Sequence, residues 1–137
     1  MSAITVWFIR FAILYFLAAM LIGIAMTMTG PIYPYMQIHA HFNLLGWMTM
    51  MIYGVGYHIL PRFSGRPLWS DKLSYWHIWL ANIGLLGMTA GWFVVSWGLG
   101  RGVLHGFAMV EGASMIMFGL NMFKTIKAIP PPKPAVK

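Results

Sequence analysis

Five histidines punctuate a chain of 137 residues, and two of them, His39 and His41, are separated by a single residue. A neutral imidazole offers one nitrogen lone pair, which suits a transition-metal ion or a haem iron. What the pair can do depends on where the rings point. Two residues along an α-helix turn a side chain by about 200°, so the two rings face nearly opposite ways and cannot chelate one ion from a regular helix. Either each serves a different site, or one serves a site and the other a hydrogen bond. The remaining candidates are His58, His77 and His105, the carboxyl of Glu111 and the guanidinium of Arg101. There are no cysteines, which excludes disulfides, iron–sulfur ligation and covalent attachment of a c-type haem.

These residues sit in an apolar chain. Hydrophobic residues make up 60% and charged residues 8%, against about 25% charged in soluble domains. A soluble chain of this length cannot hide so much apolar surface, so lipid is the expected solvent. Crossing a bilayer takes about 20 apolar residues, and four stretches qualify, at about 5–28, 35–60, 73–97 and 103–126. They stop at Gly30-Pro31, at Pro61 and at the polar loops. The expected fold class is all-α, an integral membrane four-helix bundle over residues 1–129. A Pro-rich tail, 130–137, is expected to be extended. The first stretch is too long for a cleaved signal segment and reads as a retained anchor. Gly87 and Gly91 on the third helix, and Gly102 and Gly106 on the fourth, have the spacing that lets membrane helices approach closely; either pair is equally readable as the ordinary glycine content of such helices.

The net charge of +7 does not point to nucleic acid, because the basic residues cluster at helix ends. With four antiparallel spans, one side receives Arg10, Arg62, Arg66, Lys72, Lys124, Lys127, Lys133 and Lys137, and the other only Arg101. The positive-inside rule then places both termini and the middle loop in the cytoplasm. Trp7, Trp69, Trp76 and Trp97 fall near span ends, as interfacial anchors do. This topology sorts the histidines by depth. His39, His41 and His105 share a layer near the outer face, while His58 and His77 form a separate pair at the cytoplasmic end.

A buried polar ring in lipid must be hydrogen-bonded or ligated. The outer layer could hold a haem, with His41 or His39 as axial ligand, His105 as a second ligand from another helix, and Phe42, Trp47, Phe107, Gly46 and Gly106 beside the macrocycle. Arg101 could pair with haem propionates or simply anchor the interface. Each histidine could instead be an interfacial hydrogen-bonded residue, a reading that weighs most for His58 and His77. Glu111 is either a proton-handling group or a protonated side chain bonded to Asn43, Ser114 or a backbone carbonyl. The thirteen methionines read as core filler more readily than as a copper(I) site.

The stretch Gln37-Ile38-His39-Ala40-His41-Phe42-Asn43-Leu44-Leu45-Gly46-Trp47, with Tyr57 and Leu60-Pro61-Arg62-Phe63-Ser64-Gly65 beyond it, resembles one helix of the catalytic subunit (subunit I) of C-family, cbb-type haem–copper oxidases and the related nitric oxide reductases. The segment Trp76-His77-Ile78-Trp79-Leu80-Ala81-Asn82-Ile83-Gly84 is similar to the start of that family's next helix. The fourth span, with Gly112, Gly119, Asn121 and Thr125-Ile126, is loosely similar to its last core helix. The resemblance implies a truncated homologue. It also implies that His39 matches the ligand of the high-spin haem and His41 the ligand of the low-spin haem. The copper ligands, the tyrosine that works with them and the second low-spin ligand have no counterpart here, so the chain is not expected to be a complete oxidase alone.

The expected protein is therefore a membrane b-type haem protein of the cytoplasmic membrane, holding non-covalent haem b through His39, His41 and His105. It would transfer electrons or bind a diatomic gas such as O2 or NO, as a homo-oligomer served by a soluble cytochrome or a quinol. A non-catalytic subunit or assembly factor of a respiratory complex is the alternative, and copper handling a third.

Overall fold

The computed structural model describes residues 1–30 and 32–127, so Pro31 and the Pro-rich tail lie outside the described residues. The described residues form four helical rods and no strand. Helix α1 is Ala3–Thr29. The second rod runs without a break through α2 (Tyr35–His41), a π-helical segment (Phe42–Thr49) and α3 (Met50–Phe63). Helices α4 (Asp71–Ser96) and α5 (Gly102–Thr125) complete the set. α1, α4 and α5 are each long and apolar enough to cross a membrane. The outer faces of α1 and α5 leave Leu14, Leu21, Met109, Ile116 and Phe123 exposed, which is stable against lipid and not against water. Trp7, Trp69, Trp76 and Trp97 are exposed near rod ends.

Local sequence sets the ends. Ser2 accepts a hydrogen bond from the Thr5 amide at 3.2 Å, and Ser70 one from Leu73 at 3.2 Å, each satisfying an orphan donor of a first turn. Gly30, at φ 81°, closes α1, and Gly98 and Gly100, at φ 77° and 88°, turn the chain between α4 and α5. The second rod passes its expected stop at Pro61 and ends at Phe63. A proline lacks only its own N–H, and the last carbonyls are still capped here, by Ser64 on Leu60 at 3.0 Å and Arg66 on Pro61 at 3.1 Å.

The rods pack as two antiparallel hairpins. In the first, α1 lies along the second rod. Gly46 faces Tyr15, Gly54 faces Phe8 and Ile9, and Gly23 faces the His39 ring. In the second, Gly84 faces Glu111, Gly87 faces Phe107 and Gly91 faces Leu104. Within each hairpin the residue numbers of the facing partners sum to nearly the same value, which is the signature of antiparallel register. Of the two glycine pairs in the sequence, Gly87 and Gly91 make the close approach. Gly102 and Gly106 have nothing within 4 Å of where a Cβ would stand, because the face that α5 turns to α4 is the one bearing Leu104, Phe107 and Glu111. Asn121 fastens the end of α5 to the loop before α4. Its Nδ2 donates to the Ser70 carbonyl at 2.9 Å, and its Oδ1 accepts from the Ser70 amide at 3.1 Å.

A Cβ at Gly91 would lie 2.6 Å from the Leu104 Cα, and backbone cannot yield as a side-chain tip does. Gly91→Ala is expected to destabilise the protein in detergent by roughly 1–3 kcal/mol through overpacking. Gly106→Ala, in open space, is expected to change nothing or to stabilise slightly. Thermal unfolding followed by circular dichroism checks both, and equal behaviour of the two variants would refute the glycine contact.

Candidate functional site

His39 and His41 leave the second rod on opposite sides, as the two-residue spacing requires. His39 faces α1, where its Nδ1 lies 2.9 Å from the Ala19 carbonyl. His41 faces α4, its ring centroid 4.4 Å from that of Trp92, and its Nδ1 lies 2.9 Å from the Gln37 carbonyl one turn back. A carbonyl only accepts, so in both rings Nδ1 carries a proton, and the ring's remaining lone pair, in the neutral form, is on Nε2. Such a bond fixes the ring in direction, as it does in metal-ligating histidines and equally in histidines that are only hydrogen-bonded. The two rings are not equally free. The His39 Nε2 has the Asn43 Nδ2 3.4 Å away, and that amide also donates to the His39 carbonyl at 3.0 Å.

The helix unwinds to π geometry at Phe42, immediately after this pair. A π turn holds an extra residue and slows the rotation of side chains along the rod. Thr49 ties the distortion, donating to the Leu44 carbonyl five residues back at 2.7 Å. Gly46, inside the segment, lets the rod close on Tyr15, and Phe42 meets the same tyrosine edge-on at 5.0 Å. Of the residues expected beside a macrocycle, then, Phe42 and Gly46 are engaged with α1, Phe107 with Gly87 of α4, and Trp47 with Phe16 at 4.9 Å.

The structure does not bring His105 to the pair. α5 packs on α4 and touches α3, and among the described residues it does not reach α2. Leu104 and Phe107 hold its inner face, so His105 points outward and is exposed, as is Arg101 at the start of the helix. A cavity of about 470 Å³ opens at this end between α1 and the second rod, lined by Leu21, Ile22, Ala25, Met26, Ile32 and Tyr35 among others. It is apolar, and the candidate histidines do not line it. Among the described residues no three metal-binding side chains cluster.

At the opposite end the two remaining histidines are not a pair. His58 is half-buried at the rim of an open cavity. His77 has no exposed surface and sits where the rods meet, against Phe8 of α1, Tyr53 and Tyr57 of α3 and Phe118 of α5 at ring distances of 4.4–5.9 Å. It is a core residue and not an interfacial one, because the helix that carries it is surrounded on three sides at that depth. Its Nδ1 lies 2.9 Å from the Tyr57 hydroxyl, and its Nε2 is buried without a partner. Glu111 is buried against Gly84, and its Oε2 also lacks a partner. Neither side chain expected to bond its carboxyl does so: Asn43 is bonded to His39, and Ser114 donates to the Glu111 main-chain carbonyl at 2.8 Å. Tyr15 and Asn82 add a buried bond across α1 and α4, 3.0 Å from hydroxyl to Oδ1. Sequence reading missed the buried tyrosines and Asn82, since an aromatic in an apolar stretch does not say whether its hydroxyl finds a partner.

Nitrogen-15 NMR of histidine-labelled protein without added cofactor is expected to show a proton on Nδ1 of His39 and of His41. Assignment by His39→Gln and His41→Gln checks it, and rings protonated on Nε2 alone would contradict the carbonyl bonds.

Comparison with known proteins finds relatives for the second and third rods. Residues 34–105 match the model of the family described as cytochrome c and quinol oxidase polypeptide I. Cytochrome c oxidase subunit 1 of Rhodobacter capsulatus is 47% identical over 49 residues, which cover 35% of this chain and 9% of that protein. The bacteroid cytochrome c oxidase subunit 1 homolog of Bradyrhizobium diazoefficiens is 28% identical over 95 residues, 68% of this chain and 16% of its own length. The cbb3-type cytochrome c oxidase subunit CcoN1 of Stutzerimonas stutzeri is 39% identical over 57 residues, 41% and 12% of the two chains. No solved structure matches. The aligned parts thus span less than a fifth of each of these relatives. With more than half of its length on the family model, the chain belongs to the cytochrome c and quinol oxidase polypeptide I family.

Proposed function

We propose that this chain is a membrane haem-binding protein, in which His41 and His39 hold non-covalent haem b for electron transfer or for binding a diatomic gas. The observation that carries this reading is the pair of Nδ1–carbonyl bonds, which leaves an Nε2 lone pair on each of two opposite faces of one rod. The residues fit an axial ligand role. His41 comes first, since no side-chain donor competes for its Nε2, and His39 second, with Asn43 beside it. Bound haem would supply reversible one-electron chemistry, and ligand binding where a coordination position stays open. The chain's part is to orient the rings and to keep them in an apolar layer, which favours haem insertion and excludes water.

A single copy leaves this arrangement incomplete. His105 and Arg101 are exposed on α5, so a second axial nitrogen from His105, or a propionate contact from Arg101, would come from a neighbouring copy. This supports a homo-oligomer. The charge distribution, eight basic residues against one, supports a cytoplasmic-membrane protein with both termini inside and the haem layer outside, within reach of a soluble cytochrome or a quinol. Copper handling has no support in a methionine cluster. The alternative is a non-catalytic subunit or assembly factor of a respiratory complex.

A dithionite-reduced-minus-oxidised spectrum of the detergent-purified protein is expected to show sharp α and Soret bands, lost in His41→Ala and weakened in His39→Ala. A CO-induced shift would assign an open position and gas chemistry, and its absence electron transfer. No haem bands from cells well supplied with haem would overturn the reading in favour of the non-catalytic subunit.

A further inference from the structure

The second rod ends in a turn that gathers positive charge. The last carbonyls of α3 are satisfied by the main chain alone: Ser64 donates to Leu60 at 3.0 Å, Gly65 to Arg62 at 3.1 Å and Arg66 to Pro61 at 3.1 Å. Gly65, at φ 59°, allows this left-handed close. The turn brings Arg66 back to the level of Arg62, and neither guanidinium is needed as a cap. Both arginines are exposed, and both line an open cavity of about 410 Å³ together with His58, Ser2 and Asp71. Asp71 stands in the first turn of α4, where the helix N-terminus offsets its charge. Two guanidiniums therefore face one carboxylate, and the rim stays positive.

An apolar groove of about 440 Å³ runs along the same helix, lined by Met51, Ile52, Val55, Gly56, Ile59 and Leu60. It dips at Gly56 toward Phe118 of α5, whose ring tip is 3.1 Å from where a Cβ would stand. From Met51 to Leu60 the helix rises about 14 Å, close to half of a hydrocarbon core of about 30 Å. That is the depth of one leaflet. Groove and cavity share a line on the helix surface. Val55, Ile59 and Arg62 are spaced i, i+4 and i+7, so they lie along one stripe, with the first two in the groove and the third in the cavity.

We propose that this stripe seats one anionic phospholipid, with its phosphate on Arg62 and Arg66 and one acyl chain along α3. Guanidinium pairs a phosphate through two parallel N–H bonds, and basic pockets beside membrane helices take anionic headgroups. His58 can add a ring N–H to the phosphate. Charge and shape together select the lipid. A soluble phosphate compound would use the cavity and leave the groove unfilled. A second copy placed symmetrically on this face would bring its own Arg62 and Arg66 to the first pair, like charge against like. The seat uses none of the groups of the haem reading, since His39 and His41 lie at the other end of the second rod.

Native mass spectrometry of the full-length, detergent-purified protein tests it, by titration with phosphatidylglycerol and with phosphatidylcholine of the same chain length. One saturable phosphatidylglycerol adduct per chain is expected at a concentration where phosphatidylcholine leaves none. Arg62→Gln and Arg66→Gln are each expected to weaken it roughly fivefold, and both together roughly twentyfold or more. Arg66 lies beyond the end of α3, so Arg66→Gln keeps the test open if a helix variant unfolds. Lys124→Gln with Lys127→Gln removes the same charge from the same end outside the cavity and is expected to leave the adduct unchanged. Val55→Trp, which fills the groove and keeps both arginines, is expected to weaken it. Equal affinity for the two lipids, or equal weakening by the lysine pair, would show only diffuse attraction to a basic face and overturn the seat. Displacement of phosphatidylglycerol by inorganic phosphate, with no effect of Val55→Trp, would assign the cavity to a soluble phosphate compound and overturn it equally. So would a dimer that forms in place of the lipid adduct and is lost in Val55→Trp, since the groove would then belong to a second copy.

Discussion

The junction at His77 holds the two hairpins together. α1 and α5 do not pack against each other among the described residues, yet Phe8 of α1 and Phe118 of α5 both touch the His77 ring, and Tyr53 and Tyr57 close it from α3. Aromatic rings at 4.4–5.9 Å give tilted and edge contacts that add to dispersion in a place where hydrophobicity cannot drive helix association. One imidazole thus meets both hairpins, and the Tyr15–Asn82 bond and the His41–Trp92 contact join them farther along.

Close approach within each hairpin comes from glycine, and it decides which polar groups become interior. Gly84 admits the Glu111 carboxyl, Gly23 admits the His39 ring, and Gly46 admits Tyr15. In lipid a polar group faces a protein partner, water or a ligand. The same packing that removes these groups from lipid also leaves His77 Nε2 and Glu111 Oε2 without side-chain partners. The π-helical segment belongs to this scheme, because it lets one rod direct histidines toward α1 and α4 at one end and tyrosines toward His77 at the other.

Much of this was legible in the sequence. Apolar run length gave four rods and the lipid environment, and helical periodicity gave the opposite faces of His39 and His41. The H-x-H to P-R-x-x-G stretch pointed to the family that the comparison shows. Those features are local: they depend on rise and rotation per residue, which any helix shares. Depth alone grouped His105 with His39 and His41 and paired His58 with His77; the shared depth is compatible with the packing, but His105 faces outward and only His77 of the second pair is in the core. Depth fixes position along the membrane normal but not rotation about each helix axis, and rotation is set by packing.

The sequence by itself determined that this protein is a helical membrane bundle with two histidines on opposite sides of one helix, because bilayer thickness and helix geometry leave no other solution. Only the tertiary structure decided that His77 is the centre of the bundle, that Gly87 and Gly91 rather than Gly102 and Gly106 carry the contact, and that His105 faces outward. Those outcomes depend on which face of each rod meets which neighbour. That choice is made by the sum of many small packing contacts across the bundle, and no short window of sequence contains it.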